Sequence, residues 1–170
     1  VGSEMCIRDS YTAQQVLDYA QALYEKKLLT YPRTDSNYLT EDTAATVPEL
    51  LEQSVSSLPF SVEVGPTDIS RVIDASKVSD HHALLPTMQV KQDALAALPA
   101  GERNILTLVI VRLLCAVSEK QVYEDTAVEL DCGGTSFAAK GRVVTSPGWK
   151  AVEQAFYSTL KQKPEKDDPE

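Results

Sequence analysis

Positive charge is scarce in this sequence. Its 170 residues carry 16 Lys and Arg against 25 Asp and Glu, a formal net charge of −9. Phosphate contacts need Lys and Arg, so this piece alone is not expected to bind nucleic acid strongly. Cysteine is also rare: Cys6 near the start, Cys115 in an apolar helical pattern, Cys132 beside a Gly-Gly pair. No C-x-x-C spacing occurs, so neither a zinc site nor a disulfide framework is inferred. A reduced, cytoplasmic setting is the default. No apolar run is long enough to span a membrane. The longest, Ile105 to Val117, is interrupted by Thr107 and Arg112. There is no D-x-D, no phosphate loop and no Gly-rich cradle. Asp68, Asp74 and Asp80 do not form a tight carboxylate metal motif, and no internal repeat is visible.

The two ends are set apart. Val1-Gly-Ser-Glu-Met-Cys-Ile-Arg-Asp9 looks like a translated sequencing adapter, without hydrophobic period or turn logic. Residues 1–10 are therefore excluded from fold reasoning, and the chain is expected to be a fragment of a longer gene product. Glu4, Arg8 and Asp9 account for −1 of the charge, leaving −8 on the remainder. Residues 161–170, with mixed charge and two prolines, read as a truncated, solvated linker.

Between the ends, 43% hydrophobic composition suits one domain, or one domain plus part of another. Thr12-Ala-Gln-Gln15 has the form of a capping box. Val16, Leu17, Ala20, Leu23 and Tyr24 then recur at helical spacing, ending near Lys26-Lys27. Thr40 is the next expected N-cap, and Pro48 restarts or kinks the helical pattern around it. Residues 54–67 are punctuated by Ser, Pro and Gly and read as loop. A short helix or turn is expected over 69–73, a short helix over 92–98 and a long apolar one over 104–118. The period then changes. Val122, Thr126, Val128 and Leu130 suggest a half-buried strand, Gly133-Gly134 a hairpin turn and Phe137 to Val144 its partner. Residues 151–160 are ambiguous between strand and helix. A domain boundary is placed near residue 118.

Leu29-Thr-Tyr-Pro-Arg-Thr-Asp-Ser36 concentrates chemistry in one loop. Pro32 fixes its own φ and drives Tyr31 towards an extended conformation. Residues i and i+2 then point the same way, so Tyr31 and Arg33 would face one target. The arginine fork could grip a phosphate that the phenol attacks. A phenol with a pKa of about 10 needs nearby positive charge, a base or a metal-organised leaving group to act so. Thr34 and Ser36 could bond phosphate oxygens or the local backbone; Asp35 could orient Arg33 or cap a turn. On spacing alone, Tyr31-Pro32-Arg33 in a loop is more often a packed turn than an active site. His81-His82 is the one histidine pair. Adjacent side chains point apart, which argues against a two-histidine metal site; either ring could meet a phosphate, carry a proton or cap a loop.

Taken together, these segments resemble a known family. Leu29-Thr-Tyr-Pro-Arg-Thr-Asp-Ser-Asn-Tyr-Leu39 resembles the active-site signature of type IA DNA topoisomerases. Lys77-Val-Ser-Asp-His-His-Ala-Leu-Leu-Pro-Thr87 resembles their second signature, in the same order and at a similar separation. Pro32 and Leu85 are closer to the bacterial topoisomerase III branch than to topoisomerase I, which favours Met and Arg there. Phe137, Gly141-Arg-Val-Val and Pro147-Gly-Trp149 resemble strands found later in that branch.

The resemblance implies an α+β fold. A mainly α-helical tyrosine-bearing domain would span 11–118, followed by an antiparallel β segment of the arch domain over 119–160. It implies that Tyr31 is the nucleophile that cleaves one strand through a 5′-phosphotyrosine link, resealed without ATP. Arg33 would contact the scissile phosphate. His81, followed by Ala83 at the family's spacing, would bond DNA phosphate. Single-stranded DNA is the implied partner and Mg²⁺ the implied cofactor. The metal ligands, the acidic metal-binding domain and the ring-closing domains are not found in this sequence, so the fragment alone is expected to be inactive. Two rivals are weighed. A tyrosine recombinase normally spreads two arginines and a histidine ahead of a C-terminal tyrosine, the reverse of the order here. A non-catalytic DNA- or protein-interaction module derived from the enzyme is the other.

Overall fold

The computed structural model describes residues 11–159; the adapter-like start and the charged tail lie outside them. Helix α1 (Ala13–Glu25) begins with both halves of the expected capping box. The Thr12 amide donates to Gln15 Oε1 at 2.8 Å, and the Gln15 amide donates to the Thr12 hydroxyl at 3.2 Å. Val16, Ala20 and Leu23 bury one face. The helix stops through a pair of reversed hydrogen bonds. The Lys27 amide donates to the Tyr24 carbonyl (2.8 Å) and the Leu28 amide to the Leu23 carbonyl (2.9 Å). This closure puts Lys27 at φ 61°, a left-handed conformation that glycine usually supplies.

Thr40 caps α2 (Glu41–Ala44), and Pro48 sits in the first turn of α3 (Val47–Ser57), so the proline restarts the helix rather than kinking it. Helix α3 also takes the first residues of the segment expected to be loop. Ser56 and Ser57 donate their hydroxyls to the carbonyls of Gln53 and Ser54, both at 2.8 Å. Serine competes for backbone partners, but here it bonds back within the helix and extends it. Short 3₁₀ turns cover Ile69–Val72 and Ala75–Lys77, and α4 covers Gln92–Ala96.

Helix α5 (Ala100–Val117) is the axis of the core. Its residues from Ile105 to Val111 are buried without a break, as expected of a helix apolar all round. It starts a turn earlier than its apolar run suggests, directly after Pro99. Gly101 permits the crossing with α1: a Cβ there would lie 2.4 Å from the Tyr19 ring. Buried Glu102 forms an ion pair with Lys26 at the same crossing.

Strands β1 (Val122–Cys132) and β2 (Thr135–Ser146) form one antiparallel ribbon, with Thr126 opposite Gly141 and Leu130 opposite Phe137. Gly133 and Gly134, at φ 59° and 84°, make the turn. The half-buried reading of this ribbon is corrected. Val122, Thr126, Val128 and Leu130 are all exposed, as is every other residue of β1. Alternation tells which face a strand can offer, and among the described residues no second layer covers it. Arg142 grips Asp125 across the ribbon with two bonds (2.6 and 2.9 Å) and lies over the Tyr123 ring. The ambiguous segment resolves as helix α6 (Trp149–Thr159), which buries Val152 and Phe156 and folds back on α5. The six α-helices and single antiparallel ribbon of the described residues make the fold α+β, as expected.

Candidate active site

The left-handed stop at Lys27 releases the chain straight into the tyrosine loop. That loop is laced to the histidine loop by backbone bonds. The Thr30 amide donates to the Leu85 carbonyl (2.9 Å), the Thr87 amide to the Leu28 carbonyl (3.1 Å) and the Ala83 amide to the Tyr38 carbonyl (2.9 Å). Leu29 and Pro86 form an isolated antiparallel bridge. Buried Leu29, Leu39 and Leu85 anchor the two loops in the core.

Side chains add to the lacing. Thr30 Oγ1 accepts from the Leu85 amide at 2.9 Å, and the Thr87 hydroxyl donates to the Lys27 carbonyl at 2.6 Å. Thr34 donates to the His81 carbonyl at 3.0 Å and accepts from the Ser36 amide at 3.2 Å. Ser36, itself buried, donates to the Lys77 carbonyl at 2.8 Å and accepts from the Tyr38 amide at 3.1 Å. Of the two uses read for these hydroxyls, the backbone is therefore the partner found. Asp35 accepts from the Ser79 hydroxyl at 3.3 Å, a further tie between the loops. Lys77 pairs with Asp74 at 2.8 Å and lies over the Tyr38 ring. That ammonium, foremost, holds the Asp74 carboxyl below its ordinary value, and Asp74 raises Lys77 in return.

Tyr31, half-buried, has its ring 4.5 Å from the His81 ring. Arg33 is exposed and lines a small polar groove with Thr34, Asp35, Ser79, Asp80 and His81. Tyr31 thus meets His81 ring to ring and Arg33 shares a groove with it, but Tyr31 is not among the residues that line that groove. His82 turns elsewhere: its Nδ1 donates to the Ala83 carbonyl at 2.7 Å. Asp68 accepts from the Ser70 amide and hydroxyl (3.1 and 2.6 Å), so it caps a turn. Among the described residues no group of three or more His, Cys, Asp or Glu is placed to hold a metal ion.

One neighbour escaped sequence reasoning. Tyr24, assigned only to the helical period of α1, meets the Tyr31 ring edge-on at 5.4 Å. The signal for it was its place one turn before the helix stop, seven positions ahead of the nucleophile candidate.

Comparison with known proteins agrees with these motifs. The family model described as DNA topoisomerase matches residues 4–169. DNA topoisomerase 3 of Bacillus licheniformis is 39% identical over 152 residues, covering 85% of this chain and 20% of the relative. That of Bacillus subtilis is 38% identical over 152 residues, with the same coverage. That of Bacillus cereus is 38% identical over 148 residues, 84% of this chain and 20% of the relative. The chain therefore spans about a fifth of the length of the curated relatives it matches. With the tyrosine and histidine loops joined and the match running almost end to end, this chain belongs to the DNA topoisomerase family, with its relatives in the topoisomerase 3 branch.

Proposed function

We propose that this chain carries the nucleophile's half of a type IA topoisomerase active site. Tyr31 Oη attacks a backbone phosphorus of single-stranded DNA. A P–O bond to tyrosine forms as the P–O3′ bond breaks; the phenol gives up its proton and the leaving 3′ oxygen gains one. The 5′-phosphotyrosine link keeps the bond energy, so another strand can pass and the break reseal without ATP. Arg33 steadies the scissile phosphate and favours the charged phenol, as a forked donor suits a phosphate. His81 bonds a DNA phosphate beside it.

The observation that carries this reading is the meeting of Tyr31 and His81 at 4.5 Å, with Arg33 lining the groove that His81 also lines. Mg²⁺, which the family implies, finds no fit among the described residues, where Asp68 and Asp74 are committed to local turns. The ion is assigned to parts of the relatives that this chain does not span, and no step is routed through it here. The segment alone is accordingly proposed to be inactive, and the complete enzyme to work in the cytoplasm.

The test uses the complete enzyme. Tyr31→Phe removes only the hydroxyl, so covalent capture of a single-stranded oligonucleotide should vanish while binding persists. A covalent adduct that survives Tyr31→Phe would sink the assignment.

A further inference from the structure

We infer that Tyr24 is a positioning residue for the Tyr31 nucleophile. This rests on the reading of Tyr31 given above. The Tyr24 ring meets Tyr31 edge-on, with centroids 5.4 Å apart and 77° between the planes. The His81 ring meets the same phenol at 4.5 Å and 45°. The Tyr31 ring thus has aromatic neighbours from separate segments, the end of α1 and the second motif loop. Edge-to-face pairs have a preferred geometry, so Tyr24 limits the rotation of a phenol that otherwise projects from an irregular loop.

Tyr24 is not part of the core. It is 41% exposed, and its hydroxyl makes no hydrogen bond among the described residues. Its place is set from the backbone: its carbonyl accepts the Lys27 amide at 2.8 Å in the turn that launches the tyrosine loop. The same turn therefore places Tyr24 and sends the chain towards Tyr31. In-line attack on phosphorus requires the oxygen in a narrow range of positions, and small displacements cost rate steeply.

The inference is tested in the complete enzyme with a single-stranded oligonucleotide, under single turnover. Tyr24→Ala should slow formation of the covalent adduct about 10-fold or more. Affinity for the oligonucleotide should stay within about 2-fold, because Tyr24 acts through Tyr31 and not on DNA. Tyr24→Phe, which keeps the ring, should restore the rate; Tyr24→Leu, which keeps bulk without the ring, should stay slow. Wild-type cleavage by Tyr24→Ala or Tyr24→Leu overturns the inference. So does a loss that lies wholly in oligonucleotide affinity, which would make Tyr24 a DNA contact. Tyr31→Phe is run in parallel. If it still forms adduct, the nucleophile reading itself has failed; if it does not and Tyr24→Ala cleaves normally, only the role of Tyr24 has.

Discussion

The Thr34 hydroxyl donates to the His81 carbonyl at 3.0 Å, across 47 residues of sequence. This bond sets the histidine loop against the tyrosine loop at the point where their side chains meet. Thr34→Val keeps the shape and removes the hydroxyl, also leaving the Ser36 amide without its acceptor. The cost should be about 1–2 kcal/mol, confined to this junction. Hydrogen exchange should quicken over 34–40 and 79–85 while the global melt moves little. Unchanged exchange in both segments would show that the backbone bonds alone hold the loops together.

Arg33→Lys keeps the charge and loses the planar fork. Arg33 is exposed and makes no hydrogen bond or ion pair among the described residues, so stability should not change. In the complete enzyme, cleavage should slow by about 10-fold, with adduct still detectable. Equal cleavage by both proteins would show that a point charge suffices.

How much of the molecule is legible in its sequence depends on range. Local signals work: the Thr12–Gln15 box, the Thr40 cap and the Gly133-Gly134 turn each act within a few residues. The end of α3 misleads because serine composition signals a loop, whereas Ser56 and Ser57 bond back to their own helix. The exposure of the ribbon misleads too, since a strand's pattern does not say whether a covering layer is present. The candidate site divides in the same way. Tyr31 and Arg33 stand out by residue type, but on spacing alone a packed turn is the commoner reading. Joining them to His81 needs the resemblance of two distant motifs. Tyr24 has no motif and becomes visible only once the helix stop is built.

Lys27 occupies the left-handed region at φ 61°, where a side chain costs about 1–2 kcal/mol. Glycine removes that cost but gives back about 0.5–1 kcal/mol through its freedom in the unfolded chain. Lys27→Gly should therefore stabilise the protein by about 0.5–1 kcal/mol. The Thr87 bond to the carbonyl of residue 27 is a backbone contact and survives the change. A lower melting temperature for Lys27→Gly would count against this account of the helix stop.

Burial pushes the Cys115 thiol up to about 11, from an ordinary value of 9.0. The unfolded chain then loses this proton first as pH rises. Stability from the buried thiol is complete below about pH 9 and falls away towards about pH 11. Denaturant melts at about pH 7 and about pH 10 should show a larger loss for wild type than for Cys115→Ala. Equal losses would mean that the thiol does not titrate differently on unfolding.

The β ribbon has a practical consequence. Val143, Leu130 and Phe137 are 65, 61 and 57% exposed. A lone two-stranded hairpin is marginal in water, and its free edges invite pairing with another chain. Expressed as a separate piece, this segment would present chaperones with a surface to hold and proteases with a site to clip. Its soluble yield would then be governed by self-association of the ribbon, even while the helical body around α5 stays folded.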